Sequence, residues 1–235
     1  MSKMLIQPVA QQSLEGQTLH TLREYILSGA AAPGTRLTEV ALAESIGVAR
    51  ATLRTGLTRL ADEGLVVKTP YSGWHVAELT SDDVRELWTL RGGLESVAAR
   101  LVAETSDPAA KQLITQAYEG LVDACKSGDV DRMSESDFKF HVTVIEATGH
   151  SRLKRHYALV AQQVRLYIRT SNASVATGPQ DILDQHAPIY ESLMSGSPAE
   201  AAHQAWLHNA SEGQRLLDWM ASQNAEAPTD GRKVP

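Results

Sequence analysis

IGVARATLRTGLTRLADEGLVV, residues 46–67, is the stretch from which the architecture of the first third of the chain is read. A short helix ends at Gly47, and a second begins near Ala49 with Arg50 and Arg54 one turn apart. Leu53, Leu57 and Leu60 recur at spacings of four and three, so they share one helical face. That face can pack while both arginines stand at its edge. Such a helix fits the major groove of DNA, where arginine binds guanine edges or phosphate. An ordinary amphipathic surface helix would carry the same spacing, and the flanking sequence decides between the two.

Upstream, Leu19, Leu22 and Ile26 place a helix over Gly16–Leu27, stopped by Ser28 and Gly29. Residues 1–13 show no period and read as a flexible arm. Ala32-Pro33-Gly34 makes a turn, and Thr38 is placed to cap the next helix, with Leu37 and Leu42 as a hydrophobic staple. Downstream, Leu65–Thr69 is short and β-branched. Pro70, Ser72 and Gly73 turn the chain, and Trp74–Glu78 returns as a partner strand. Three helices and a two-stranded ribbon make a winged helix-turn-helix domain over residues 14–79. Residues 1–79 hold seven Lys/Arg and seven Asp/Glu, yet Gly47–Leu60 holds three arginines and no acid. Positive charge is therefore concentrated where DNA would be met, although the whole chain carries a formal charge of -6.

PGTRLTEVALAESIGVARATLRTGLTRLADEGLVV with the later GWHVAELT resembles the DNA-binding domain of the GntR family of bacterial transcription regulators. The matching positions include Pro33-Gly34, Leu37, Leu42-Ala43, Gly47-Val48, Arg50, Leu53-Arg54, Leu57, Leu60, Glu63-Gly64-Leu65 and Gly73. The resemblance implies DNA contacts from Arg50, Thr52 and Arg54, with Gly73 at the wing tip. Arg36 reads as a phosphate contact or, equally, as a solvated surface charge, and so does Lys68. Ala49 and Ala51 stand where the family commonly has Ser or Thr, which leaves the preferred DNA sequence open. Gly56 inside the helix costs about 1 kcal/mol against alanine, and the sequence shows no reason for it.

From Thr80 to Gln223 the pattern is helical, and residues 80–223 read as an antiparallel helical bundle, with a disordered tail at 224–235. The fold class is thus mainly α. In the helix over 81–104 the stripe Val84, Leu87, Trp88, Leu94, Ala98 and Val102 is interrupted by Arg91 and Glu95, four apart. Two readings fit: a structural ion pair, or an arginine facing a polar cavity and binding an anion while Glu95 holds it. Asp107-Pro108 starts a helix carrying Leu113, Ala117, Leu121 and Cys125 inward. In the following helix, from Asp129 to Gly149, Asp137 and His141 interrupt the face of Met133, Phe140, Val144 and Thr148. A carboxylate and an imidazole four apart on one face converge on one point, as a metal requires. A helix over 151–170 turns Leu153, Tyr157, Val160, Val164 and Ile168 inward and leaves Arg165 and Arg169 as surface charges. Ser171–Gly178 reads as a polar loop. The stretch Gln180–Met194 aligns Ile182, His186, Ile189 and Leu193, with Pro188 implying a kink or a late helix start. Ser197-Pro198-Ala199-Glu200 opens the last helix, where His208 shares a face with Ala201, Ala205 and Trp219 and His203 points away.

Arg91 and Glu95, Asp137 and His141, ATGH at 147–150, DQHAPIY at 184–190 and His208 together resemble the FCD effector domain of the FadR subfamily of GntR regulators. That resemblance implies Asp137, His141, His186 and His208 as metal ligands; His150 departs from the family's usual Asn. Three imidazoles and a carboxylate suit a first-row divalent ion such as Zn²⁺, Ni²⁺ or Mn²⁺.

The expected function is a cytoplasmic transcription regulator and not an enzyme. Its helical domain binds a metal and a small carboxylate, with Arg91 as a second effector contact, and thereby modulates operator binding. The resemblance implies a homodimer on double-stranded operator DNA. No run reaches the length of a membrane span, and a single cysteine, Cys125, forms no internal disulfide. A metal-dependent hydrolase fused to a DNA-binding domain, and a purely structural metal, are the competing readings.

Overall fold

The computed structural model describes residues 13–105 and 107–226, and the chain divides after Glu78 into two compact units. The expected arm lies outside the described residues except for Ser13, and the expected tail lies outside them from residue 227 onward.

In the first unit, Ser13 caps α1 (Leu14–Leu27) by accepting the Gly16 N–H at 3.1 Å. A two-residue strand β1 (Arg36–Leu37) precedes α2 (Glu39–Ile46), which ends at Gly47 in the left-handed conformation. Thr38 occupies the N-cap position of α2 but makes no side-chain cap bond. Helix α3 (Arg50–Asp62) buries Leu53, Leu57 and Leu60 completely. The hairpin β2 (Val66–Thr69) and β3 (Gly73–Val76) follows, its turn closed at Gly73 with φ 93°. The sheet has three antiparallel strands in the order β1-β3-β2, not the two expected. β1 pairs Arg36 with His75 and Leu37 with Trp74. Two residues carry no alternation, so this strand is specified by the edge that β3 offers rather than by its own pattern. Gly56 now has its reason: a Cβ there would stand 3.0 Å from Leu22 Cδ1 on α1, so glycine lets the two helices approach.

The second unit is helical. Thr80 and Asp83 form the full capping box of α4 (Ser81–Glu104). Then come α5 (Pro108–Ser127), α6 (Val130–Ala147), α7 (Ser151–Ser174), α8 (Pro179–Ser195) and α9 (Pro198–Glu226). Four readings are corrected. On α5, Leu113 is 54% exposed and Ile114 takes the core position. Helix α7 runs four residues beyond 170, with Ser171 buried, so the polar loop is shorter. Helix α8 starts at Pro179 and runs through Pro188, which excludes the late start of the two alternatives, and α9 extends to Glu226, past the expected limit at 223. At the start of α7, His150 does the work of a capping residue, its Nδ1 accepting the Leu153 N–H at 3.2 Å.

α9 lies along α4 more extensively than any other helix pair, and two glycines make this approach possible. A Cβ on Gly92 would meet the Trp206 ring at 3.1 Å, and one on Gly213 would stand 2.5 Å from Trp88 Cγ. The two indoles meet edge to face at 5.6 Å. Gly213→Ala must push a large packed ring aside and is expected to lower stability by about 1–3 kcal/mol. Gly56→Ala meets only the end of a flexible leucine and gains helix propensity, so its change stays within about 1 kcal/mol. Urea unfolding of the two variants measures the contrast.

Candidate functional site

Arg91, in the middle of α4, has no exposed surface. A guanidinium cannot shed its charge, so burial obliges it to find carboxylates. Its Nε donates to Glu95 Oε1 at 2.9 Å and its Nη1 to Glu212 Oε2 at 2.8 Å. Its Nη2 is buried without a partner among the described residues. Glu95 is held from several helices: Tyr157 OH of α7 donates to Oε1 at 2.8 Å, and Asn209 Nδ2 of α9 to Oε2 at 2.9 Å. Burial opposes charge on Glu95. The Arg91 guanidinium, with His141, outweighs it and holds the carboxyl well below the usual range. Glu95 is therefore a fixed anion.

That anion orders the histidines. His141 Nδ1 lies 3.0 Å from Glu95 Oε2, which can only accept, so Nδ1 carries a hydrogen and Nε2 is the nitrogen turned to the cluster. Burial opposes charge on this ring, but Glu95, with the Asp137 hydrogen bond, raises its pKa above the usual histidine value. His186 Nδ1 lies 2.7 Å from the Ile182 carbonyl, which can only accept, so its Nε2 is likewise the open nitrogen of the neutral ring. The two Nε2 atoms face each other at 3.2 Å. Asp137 Oδ1 joins them, 3.3 Å from His141 Nε2 and 3.1 Å from His186 Nε2. Asp137 Oδ2 is fixed by Asn172 Nδ2 at 3.0 Å. Burial works against charge on Asp137 as well, yet His186 and His141 hold its carboxyl well below the usual range. His208 completes the group, its ring 5.0 Å from His141 and 4.6 Å from His186 by centroid. Each of the three histidines offers a nitrogen within 4.8 Å of the other two. Burial, then the neighbouring imidazoles, pushes the His208 pKa well below its usual value, so this ring stays neutral.

This donor set fits a divalent cation. Two imidazole Nε2 atoms and one carboxylate oxygen converge on one place, and with the rings neutral their lone pairs repel unless a cation lies among them. Among the described residues neither nitrogen of the buried His208 ring has a hydrogen-bond partner, a cost that coordination of one of them would remove. The backing of His141 by Glu95 and of His186 by a carbonyl is the outer-shell arrangement that orients metal-binding imidazoles.

All four expected ligands thus stand in one buried cluster. Arg91 adjoins it through Glu95 and Glu212, with two of its three nitrogens already engaged. His203 is exposed, and Arg165 and Arg169 pair with Glu135 and Asp131. Tyr157, Asn172, Asn209 and Glu212 were not singled out as site residues from the sequence. Asn172 fell in the supposed loop, and Glu212 lies 121 residues from the arginine it binds.

In the first unit, Arg50 and Arg54 project from α3 with side chains 62% and 55% exposed. Glu39, at the start of α2, grips Arg54 with both oxygens, at 3.2 and 2.7 Å, and accepts Trp74 Nε1 at 3.1 Å. Arg50 Nη2 is 3.8 Å from the same carboxylate. The Arg54 hydrogen bond is the main reason the Glu39 carboxyl is held below its usual range. An open groove of about 260 Å³ is lined by Arg36, Arg50, Lys68 and Gly73, among others. Arg54 borders a second hollow with Thr55, Thr58 and Arg59. Thr52 is half-buried and lines neither. Glu39 is the residue here that the sequence reading passed over.

A family model described as the FCD domain matches residues 86–211, more than half of the chain. One described as bacterial regulatory proteins, gntR family, matches residues 14–76. Among relatives, the uncharacterized HTH-type transcriptional regulator YdhC of Bacillus subtilis strain 168 is 26% identical, over 82% of this chain and 86% of its own length. The gluconate operon transcriptional repressor of the same organism is 32% identical, over 65% of this chain and 64% of its own. A crystal structure of a GntR-type transcriptional regulator assigned by structural genomics, from Rhodococcus sp. RHA1, shares the fold with a TM-score of 0.74. It is 22% identical and covers 87% of this chain and 98% of its own. These relatives are named as regulators and not as enzymes.

Removing Glu95 strands a buried guanidinium and frees the His141 ring. Glu95→Ala is expected to cost about 3–5 kcal/mol in urea unfolding. Arg85→Ala, which breaks only the exposed pair with Asp82, leaves the unfolding midpoint where it was.

Proposed function

The chain belongs to the gntR family of bacterial regulatory proteins and carries an FCD domain, and on that premise we propose that it is a metal-dependent sensor of a small organic carboxylate. It is a transcription regulator; the proposal concerns how it senses and how it reads DNA. The convergence of the His141 and His186 Nε2 atoms with Asp137 Oδ1, beside the unpartnered His208 ring, is the observation that carries the sensor reading. Asp137, His141, His186 and His208 would hold a divalent ion, Zn²⁺, Ni²⁺ or Mn²⁺ by donor type. Bound there, the ion supplies the positive charge that attracts a carboxylate into a buried site. The chain's own residues do the rest. Glu95 and the Ile182 carbonyl fix the imidazole orientations, Asn172 fixes Asp137, and Arg91 offers its unpartnered Nη2.

On the DNA side, α3 presents Arg50 and Arg54 for guanine edges or phosphate. Thr52 supports the same surface, and Arg36 and Gly73 meet the backbone at the wing. A homodimer would offer two such helices to a pseudo-palindromic operator. The effector regulates only if it binds the DNA-competent and DNA-incompetent arrangements with different affinity. A hydrolytic role finds no support in Glu95, the one base candidate. Its two oxygens already take hydrogen bonds or an ion pair from Arg91, Tyr157, His141 and Asn209.

Arg50→Ala and Arg54→Ala are each expected to weaken binding by about 1–3 kcal/mol on duplexes that the unmodified protein selects from a random pool. The far-ultraviolet circular dichroism should not change. Operator affinity retained in both variants would remove these arginines from recognition. His186→Ala is expected to lower bound metal sharply by elemental analysis, and an unchanged metal content would overturn the site. Among the described residues no helix is long and apolar enough to cross a membrane.

A further inference from the structure

Two carboxylates share Arg91, and they are held very differently. Glu95 takes hydrogen bonds from Arg91, Tyr157 and Asn209 and faces the His141 Nδ1 hydrogen. Among the described residues Glu212 takes one hydrogen bond, from Arg91 Nη1 at 2.8 Å. Its Oε2 also lies 3.6 Å from His208 Nε2, four residues earlier on the same face of α9. Glu212 is buried, so its carboxylate stands inside the site rather than at its mouth. It therefore touches the arginine and approaches one of the histidines toward which an incoming carboxylate would be drawn.

Charge leads to the same place. Arg91 is one cation among three buried carboxylates, Glu95, Asp137 and Glu212. A further carboxylate entering that crowded, buried place is costly unless a resident one gives way. The least anchored of the resident carboxylates is the one that can yield its place.

We propose that Glu212 is a built-in competitor of the effector: its carboxylate fills the anion position between Arg91 and His208, and a carboxylate effector gains that position by displacing it. The inference rests on the sensor reading and goes beyond it, because it assigns a residue that sets effector affinity. Glu212 is not a ligand of the ion in this account; it acts on the effector through Arg91.

The test compares the full-length, metal-containing protein with Glu212→Gln, in which the amide keeps the size and an acceptor oxygen but loses the charge. Acetate and succinate are titrated by calorimetry, with metal content measured before and after. The expected result is at least tenfold tighter binding of both probes by Glu212→Gln at equal metal content. Equal affinities in the two proteins would overturn the competitor role and leave the sensor reading standing. Binding by neither protein, with metal in place, would overturn both. Glycerol serves as the uncharged control, and a gain for glycerol as large as for succinate would mean general loosening and overturn the proposal. If Glu212→Gln does not fold, Glu212→Asp keeps the charge but draws it back by one methylene. A smaller gain in affinity is then expected, and no gain would overturn the proposal.

Discussion

A guanidinium with no contact to water is the constraint on which the second unit depends. Arg91 keeps its charge at any pH the protein meets, so Glu95 must stay ionised beside it. Once ionised, Glu95 needs donors of its own. It takes them from Tyr157 on α7 and Asn209 on α9, and it faces His141 on α6. One buried ion pair on α4 thereby fixes the side chains of three further helices around a single centre. Such a network contributes less to net stability than an apolar core of equal volume would, because desolvation cancels much of the Coulomb gain. What it contributes is position. The His141 tautomer, and with it the direction of a lone pair, follows from Arg91 through one intervening carboxylate.

The two units treat their arginines in opposite ways. Arg91 is sealed among carboxylates, whereas Arg50 and Arg54 stand largely exposed and are steadied from one side by Glu39. An exposed, oriented guanidinium loses little freedom when it meets a base edge or phosphate, which favours recognition by preorganisation. The buried cluster has the complementary property. It concentrates carboxylates and imidazoles where water does not screen them, so a cation and an anion placed there would interact strongly.

Much of the fold was legible because it rests on local rules. Leu53, Leu57 and Leu60 reported a helical face, Thr80 and Asp83 reported a capping box, and each became what its spacing implied. The candidate site was legible for a related reason. Arg91, Glu95, Asp137 and His141 are polar residues inside apolar stripes, and a buried polar residue must have a partner. What escaped was non-local or poorly patterned. β1 is two residues long and exists because β3 offers it an edge. Leu113 and Ile114 are adjacent apolar residues, and only the packed helix tells which faces inward. Asn172 sits in a run of Thr, Ser and Asn that reads as loop, yet the helix continues through it, with Ser171 buried and Asn172 bonded to Asp137 on α6. Glu39 and Glu212 look like solvated surface charges in sequence; their partners are 15 and 121 residues away.

On the proposed reading, three imidazoles and one carboxylate would hold a divalent ion in the buried polar centre. X-ray absorption fine structure at the metal edge of the metal-loaded protein tests it most directly. The account predicts a first shell of nitrogen and oxygen at about 2.0–2.2 Å, with the outer-shell scattering of three imidazole rings. A shell with no imidazole scattering, or a metal that washes out with no ordered shell, would contradict it.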